Sequence, residues 1–246
     1  MKTLVCISKT PDTTSKISFS SDGKNFNTDG ISFIMNPYDE WYALVRAVEL
    51  KEKLGGTVTV INVGDASNDI VIRKALAIGA DDAIRVDANP IDSFFVASQI
   101  AAVAKDKSYD IIFLGKETID YNGAEVGAML AEMLDLPYVS FANKLEVDGD
   151  AKTIRREIEG GTETLKLSGP CVISAAKDMA QQRIPNMQGI LMSKRKPLEV
   201  VTPVGASSRI EVIKHDLPPA KKGVTLVDAG NVAELVRLLH EEAKVI

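Results

Sequence analysis

The chain has 246 residues, of which 45% are hydrophobic and 26% charged, with a net charge of −5. This is the composition of an ordinary soluble globular protein long enough to bury a substantial core. Its acidic balance argues against nucleic acid or an anionic membrane surface as a general partner.

The only two cysteines, Cys6 and Cys171, lie inside apolar runs and have no CxxC or Cys/His metal spacing. They read as small buried hydrophobes of a reducing compartment. No apolar stretch approaches the ~18 residues needed to span a bilayer. The first residues lead directly into a strand pattern rather than a targeting segment, so the expectation is a soluble, cytoplasmic protein.

Short β-branched runs at residues 3–7, 57–63, 83–86 and 110–114 alternate with helical patterns. The first helix, residues 38–53, places Trp41, Leu44, Val45 and Val48 on one face and stops at Gly55-Gly56. The second, 68–78, stops at Gly79 and can be capped by Asp65 or Ser67; residues 92–104 and 123–134 follow the same period. Four strand–helix units predict a parallel α/β sheet with helices on both faces. Right-handed crossovers then put the ligand crevice at the carboxyl ends of the strands.

After Leu136-Pro137 the pattern changes. Extended runs at 138–141, 142–147, 153–158 and 163–167 are broken by Asp148-Gly149-Asp150 and Gly160-Gly161, which predicts antiparallel hairpins over about 138–167. Residues 170–174 read as one more buried strand. From 175 to 192 periodicity fades, yet Met179, Ile184, Met187, Ile190, Leu191 and Met192 look exposed, which suits local packing or a partner surface. Residues 193–246 read as an arm rich in Lys, Pro, Ser and Gly, with a final helix capped by Asn231 and running through Glu242. The organisation expected is an α/β domain over 1–192 and an arm with helix over 193–246. The cluster Lys194-Arg195-Lys196 is a short solvated run.

Two stretches fall at the expected crevice. One is Met35-Asn36-Pro37-Tyr38-Asp39 before a helix, the other Gly115 to Gly127 between a strand and a helix. A helix N-terminus binds phosphate through backbone N–H groups without a basic side chain. Gly123 would let backbone approach a ligand, and Asp120 or Asn122 could orient a ribose or base. The same spacing suits plain βα turns with capping residues, since no GxGxxG or GxxxxGK[ST] is present. His215 and His240 neighbour no nucleophile, and no GxSxG surrounds Ser8 or Ser174. Nothing in the sequence requires an enzyme.

Leu4-Val-Cys-Ile-Ser-Lys-Thr-Pro-Asp12, Thr28-Asp-Gly30 and Met35-Asn-Pro-Tyr-Asp-Glu40 resemble the start of the β subunits of electron-transfer flavoproteins. So do Ala75-Leu-Ala-Ile-Gly-Ala-Asp81, Leu114-Gly-Lys-Glu-Thr-Ile-Asp120, Arg156-Glu-Ile-Glu-Gly-Gly-Thr-Glu-Thr-Leu165 and Gly169-Pro-Cys-Val-Ile-Ser174. Pro185-Asn186 and Lys194-Arg-Lys-Pro197 extend the match, which keeps its order over residues 1 to about 200.

The resemblance implies a Rossmann-like sheet of the adenine nucleotide alpha hydrolase type. It implies a heterodimer with a larger α subunit carrying the redox-active FAD, a structural AMP in the β subunit, and a C-terminal arm laid on the partner. Electrons would come from flavin dehydrogenases, such as the acyl-CoA dehydrogenases of fatty acid β-oxidation, and pass to a quinone oxidoreductase. The family's AMP contacts fall on Cys6, Asn36, Pro37, Tyr38, Asp39, Val63, Gly115, Lys116, Glu117, Thr118, Ile119, Asp120, Tyr121, Asn122, Gly123, Ala124, Glu125 and Val126. Its dehydrogenase-docking loop falls on Ala175, Ala176, Lys177, Asp178, Met179, Ala180, Gln181, Gln182 and Arg183, with Met179 as the anchor.

Ser8 stands where many relatives have Lys, and Thr13 where some have an aromatic residue. Some branches bind a second FAD in place of AMP and bifurcate electron pairs. A bulky Tyr121 followed by Asn-Gly-Ala-Glu reads as more crowded than the small-residue loops of those branches, which favours AMP and keeps a second FAD as the alternative. A stand-alone adenine-nucleotide sensor on the same scaffold is the other alternative.

Overall fold

A computed structural model describes residues 1–90, 92–220 and 223–246. Lys221 and Lys222, which the sequence reading assigns to the arm, lie outside the described residues. The chain forms two units, Met1–Ile17 with Thr28–Ile213, and Ser18–Asn27 with Lys214–Ile246.

In the first unit the strands of the main sheet are β1 (Lys2–Cys6), β4 (Thr57–Val63), β5 (Asp82–Val86), β6 (Ile111–Gly115), β7 (Tyr138–Asp148), β8 (Ala151–Ile158), β9 (Gly161–Ser168), β10 (Cys171–Ala175) and β11 (Leu198–Val201). A separate antiparallel ribbon pairs β2 (Lys9–Pro11) with β3 (Phe33–Met35). The helices are α1 (Asp39–Leu54), α2 (Asp69–Ile78), α3 (Ser93–Ala104), α4 (Val126–Leu134) and α5 (Met187–Ser193).

The sheet order is β11-β5-β4-β1-β6-β10-β7-β8-β9. Strands from β11 to β7 run parallel, while β8 and β9 return antiparallel. With β4 on one side of β1 and β6 on the other, the chain changes direction at β1. That is the switch point where doubly wound sheets open a crevice.

Side-chain alternation decides which helix packs where. Val5 and Ile7 join Trp41, Leu44 and Val48 of α1 and Leu76 of α2 in one core. Leu4 and Cys6 join Phe95 and Ile100 of α3 and Leu130 of α4 in the other. Each fully buried large aliphatic side chain contributes roughly 1.5–3 kcal/mol relative to exposure.

Helix limits follow local chemistry. α1 stops where Gly55 takes φ 75° and its N–H bonds Lys51 O. α2 is entered through a 3-10 turn, Ala66–Asn68, capped by the Asp65 side chain. The Asp92 carboxylate accepts from Phe95 N at 2.7 Å and starts α3.

Several expectations need correction. α4 begins at Val126 rather than Gly123, because Asn122 and Ala124 take φ 50° and 54°, outside the helical region. The runs 138–141 and 142–147 are one strand, β7, interrupted by an irregularity in its pairing with β8 between Ala142 and Lys144 and by Phe141 at φ 55°. Residues 193–213 belong to the first unit and not to a separate arm. β11 adds a parallel edge to β5, Gln99 exchanges hydrogen bonds with Val204, and Asp92 accepts from Arg209 N and Ile210 N. Backbone pairing holds this polar stretch where composition suggested a free strand of chain.

In the second unit, Phe19 meets Phe26 edge to face at 6.2 Å and stacks on His215 at 4.8 Å. Helix α6 (Val232–Arg237) is capped by Asn231, as expected, but gives way to a π-type turn at Leu238–Glu242.

Candidate functional site

The carboxyl ends of β1, β4 and β6 meet the N-termini of α1 and α4. Gly115 closes β6 against the start of α1: a Cβ there would stand 2.8 Å from Glu40 N and 3.1 Å from Asp39 Cβ. Only a glycine permits this approach without displacing backbone.

The segment before α1 is tied down residue by residue. Asn36 is fully buried and spans to the loop after β6, donating through Nδ2 to Glu117 O at 3.1 Å and accepting from Ile119 N at 3.0 Å. Tyr38 takes φ 63°, an uncommon conformation for a residue with a side chain, and is exposed. Glu40 turns inward, where its carboxylate oxygens accept from Ser8 N at 2.7 Å and Ser8 Oγ at 2.5 Å. Burial pushes its carboxyl up to about 8, against those two donors. Burial likewise pushes Asp39 up to about 6, with Lys116 opposing and Glu117 adding to it. Burial, assisted by Glu40, drives the Cys6 thiol far above its ordinary range. Ser8 and Glu40 are therefore structural members of this corner that sequence reading did not place in the site. The acidic first turn Asp39-Glu40 was the available signal.

A cavity of about 440 Å³ opens beside this corner, lined by Pro37, Tyr38, Asp39, Tyr42, Lys116, Glu117, Ile119, Asn122 and Lys177. It joins the two stretches that the sequence singled out and adds Tyr42 and Lys177. Cys6 and Val63 do not line it. They face the other side of the sheet with Leu114, each 7% exposed, whereas Leu4 and Ile61, two positions earlier on the same face, are sealed. The sheet thus opens slightly at its strand ends on the α3–α4 side.

Beyond the cavity the loop runs out to solvent. Asn122 N donates to Thr118 O at 3.0 Å and Tyr121 N to Asp120 Oδ1 at 3.0 Å, while residues 120–125 are exposed. Glu125 offers α4 no side-chain cap, so the N–H groups of Val126, Gly127 and Ala128 have no intrahelical partner. α1 is also uncapped, at Tyr38, in contrast to α3, α5 and α6. Left-handed Asn122 and Ala124 alternate with Gly123 and Glu125, a backbone pattern that makes anion-binding concavities. A Cβ on Gly123 would meet nothing closer than 3.9 Å.

The stretch read as a docking loop is folded back on the body. Ala175 ends β10, and Ala176 N donates to Ala142 O. Met179 is 4% exposed and packs in the core that contains Trp41, so the expectation of an exposed anchor is corrected. An apolar side chain on so short a loop gains more from that core than from water. Arg183 grips Glu52 with both nitrogens, at 2.7 and 3.0 Å, and its carbonyl accepts from Trp41 Nε1. Lys177, Asp178, Gln181 and Gln182 stay exposed, and Ala180 is half-buried.

Sheet order, switch point and uncapped helix ends define a Rossmann-like α/β protein with its crevice at the strand ends. Residues 24–205 match the electron transfer flavoprotein domain family. The chain is 35% identical to the electron transfer flavoprotein subunit beta of Bacillus subtilis, over all of both chains. It is 33% identical to that of Homo sapiens, over 100% of this chain and 99% of the relative, and 36% identical to that of Syntrophomonas wolfei, over 94% and 92%. The chain belongs to the electron transfer flavoprotein β-subunit family. Its role is that of an electron-transfer subunit and not of an enzyme in its own right. Among the described residues, no helix is long and apolar enough to cross a membrane.

Proposed function

We propose that this chain pairs with an electron transfer flavoprotein α subunit, binds AMP as a structural ligand and supports the partner's FAD domain. In the assembled heterodimer it receives electrons from flavin dehydrogenases such as acyl-CoA dehydrogenases and passes them towards a quinone oxidoreductase, working in the cytoplasm. The bound FAD supplies the redox chemistry; the residues of this chain bind and orient.

The observation that carries the AMP reading is the uncapped start of α4, with its alternating backbone at residues 122–125. Free N–H groups at a helix N-terminus suit a phosphate. The residual opening beside Cys6, Val63 and Leu114 gives an apolar edge for a base. Asn36 holds the loop between them in place through Glu117 and Ile119.

Tyr121 is 73% exposed, so it does not crowd the loop as its bulk suggested. That openness leaves a second FAD, as in a bifurcating flavoprotein, as the alternative occupant. Extraction of nucleotides from the purified heterodimer decides between them. One FAD and one AMP per heterodimer is the expected count, whereas two FAD would establish the alternative. A chain that purifies without an α subunit and binds ATP alone would replace both with the stand-alone sensor.

A further inference from the structure

Residues 203–210 have neither helix nor sheet structure, and among the described residues no backbone–backbone hydrogen bond fastens them. Side chains of α3 hold them instead. At mid-helix the buried Gln99 donates through Nε2 to Val204 O at 2.9 Å and accepts through Oε1 from Val204 N at 2.8 Å. Ala206 packs on the core that contains Phe95 and Ile100. At the start of the helix a single oxygen, Asp92 Oδ2, accepts from Ser208 Oγ at 2.9 Å, Arg209 N at 2.5 Å and Ile210 N at 3.2 Å. Its other oxygen, Oδ1, serves the helix cap at Phe95 N. The Arg209 guanidinium lies over the Phe94 ring, 4.6 Å from its centre.

Asp92 and Gln99 are seven residues apart, about 10 Å along a helix axis. The segment therefore runs against the direction of α3, from its middle to its N-terminus. That end of α3 follows β5 and so stands at the carboxyl edge of the sheet, where the crevice opens. The next residue, Ser93, borders the loop read as the nucleotide site: its Oγ is 3.9 Å from where a Cβ on Gly123 would stand. Consecutive residues thus serve two neighbours. Ser93 faces the loop ahead of α4, and Asp92 holds residues 208–210.

Hydrogen bonds to an ionised carboxylate are stronger than those between neutral groups. Three bonds of the segment fall on one such oxygen, so this end of it opens and closes as a unit. A ligand seated against Gly123 and Ser93 orders the first turn of α3, and residues 208–210 order that same turn through Asp92. Whichever is in place first spares the other that ordering, which is positive coupling.

We infer that residues 204–210 are a strap, latched by Asp92, that closes beside the nucleotide loop, so that bound AMP and the latched strap retain each other. This rests on the proposed function, from which it takes only the presence of AMP at the start of α4.

The test uses the purified heterodimer carrying labelled AMP, chased with excess unlabelled AMP. Asp92→Asn keeps an oxygen for Phe95 N, since Asn caps a helix as well as Asp does, but it removes the charge and one of the two acceptors. The rate of AMP release should rise about 10-fold or more, as expected for losing hydrogen bonds to a charged group. Hydrogen exchange should quicken at the Arg209 and Ile210 amides while β1, β4 and β6 keep their protection. Gln99→Met loosens the other end of the strap without touching Asp92 or Ser93. It should speed AMP release as well, and it carries the test if Asp92→Asn fails to assemble. Stripping AMP from the wild type should quicken exchange at residues 204–210, the reciprocal effect. Wild-type release rates in both variants, or exchange at 204–210 that is indifferent to AMP, overturn the inference. Protection lost across the whole sheet in both variants would make Asp92 and Gln99 supports of the fold rather than a latch, and also overturns it. Nucleotide extraction precedes the chase: a wild-type heterodimer that yields no AMP fails the functional reading itself, whereas AMP present without coupling fails the strap alone.

Discussion

Two glycines in the same loop region meet opposite constraints. Gly115 faces the backbone of α1, with Glu40 N only 2.8 Å from where a Cβ would lie, whereas Gly123 faces open space out to 3.9 Å. Gly115→Val should therefore cost about 1–3 kcal/mol through overpacking, read as a lower urea midpoint. Gly123→Val should leave that midpoint within about 0.5 kcal/mol, as at other surface positions. It should nevertheless lower the AMP recovered per heterodimer, because the new side chain fills the space over the free N–H groups. Full AMP retention in Gly123→Val would rule out a site at the start of α4. Both glycines stood out in the sequence, but their different reasons did not, since each depends on what another element brings within 4 Å.

At the scale of elements, α5 and β11 were the ones that composition hid. Asn186 caps α5, although in the sequence Pro185-Asn186 stood only as part of the family match. The apolar residues that follow point to solvent, so no inward stripe marked the helix. β11 is a four-residue strand among Lys and Pro, and it exists because β5 offers a free parallel edge. The hold of Arg73 on α5 is testable by itself. Arg73→Ala strips the donor from Ser193 O and Lys196 O, at an expected cost of about 1–3 kcal/mol. Hydrogen exchange should quicken at the α5 amides while those of β1, β4 and β6 keep their protection. Uniform loss of protection across the sheet would mean that α5 is part of the global folding unit.

At the scale of the molecule, two carboxyl groups carry protons further up the pH scale than they would in an unfolded chain. Burial raises Glu40 from 4.5 to about 8 and Asp39 from 3.8 to about 6. As pH rises above 4, the unfolded chain releases these protons first and so binds fewer than the native state, and stability falls with pH until about 8. One such group changes stability by at most about 1.4 kcal/mol per pH unit. Urea unfolding at pH 5, 6, 7 and 8 should show this decline, and Glu40→Gln should flatten most of it. A wild-type slope that persists in Glu40→Gln would place the titration elsewhere. Asp92 acts in a different window: although desolvation opposes it, the N–H groups of Phe95, Arg209 and Ile210 and the Ser208 hydroxyl hold its carboxyl down to about 2. Its contribution is present above pH 4 and is lost below that.

The sequence by itself determined the alternating strand–helix order, the two-sided core and the hairpins, because side-chain period and turn residues are local properties of the chain. It also brought Asn36 to Asp39 and Gly115 to Val126 to one edge, since a doubly wound sheet leaves few places for loops that follow its strands. Only the tertiary structure decided that Met179 is buried, that Glu40 is locked to Ser8, that Tyr121 leaves its loop open and that α5 shows its apolar face. Each of those outcomes depends on the space and hydrogen-bonding groups that distant segments supply, and no local pattern encodes what a distant segment leaves unfilled.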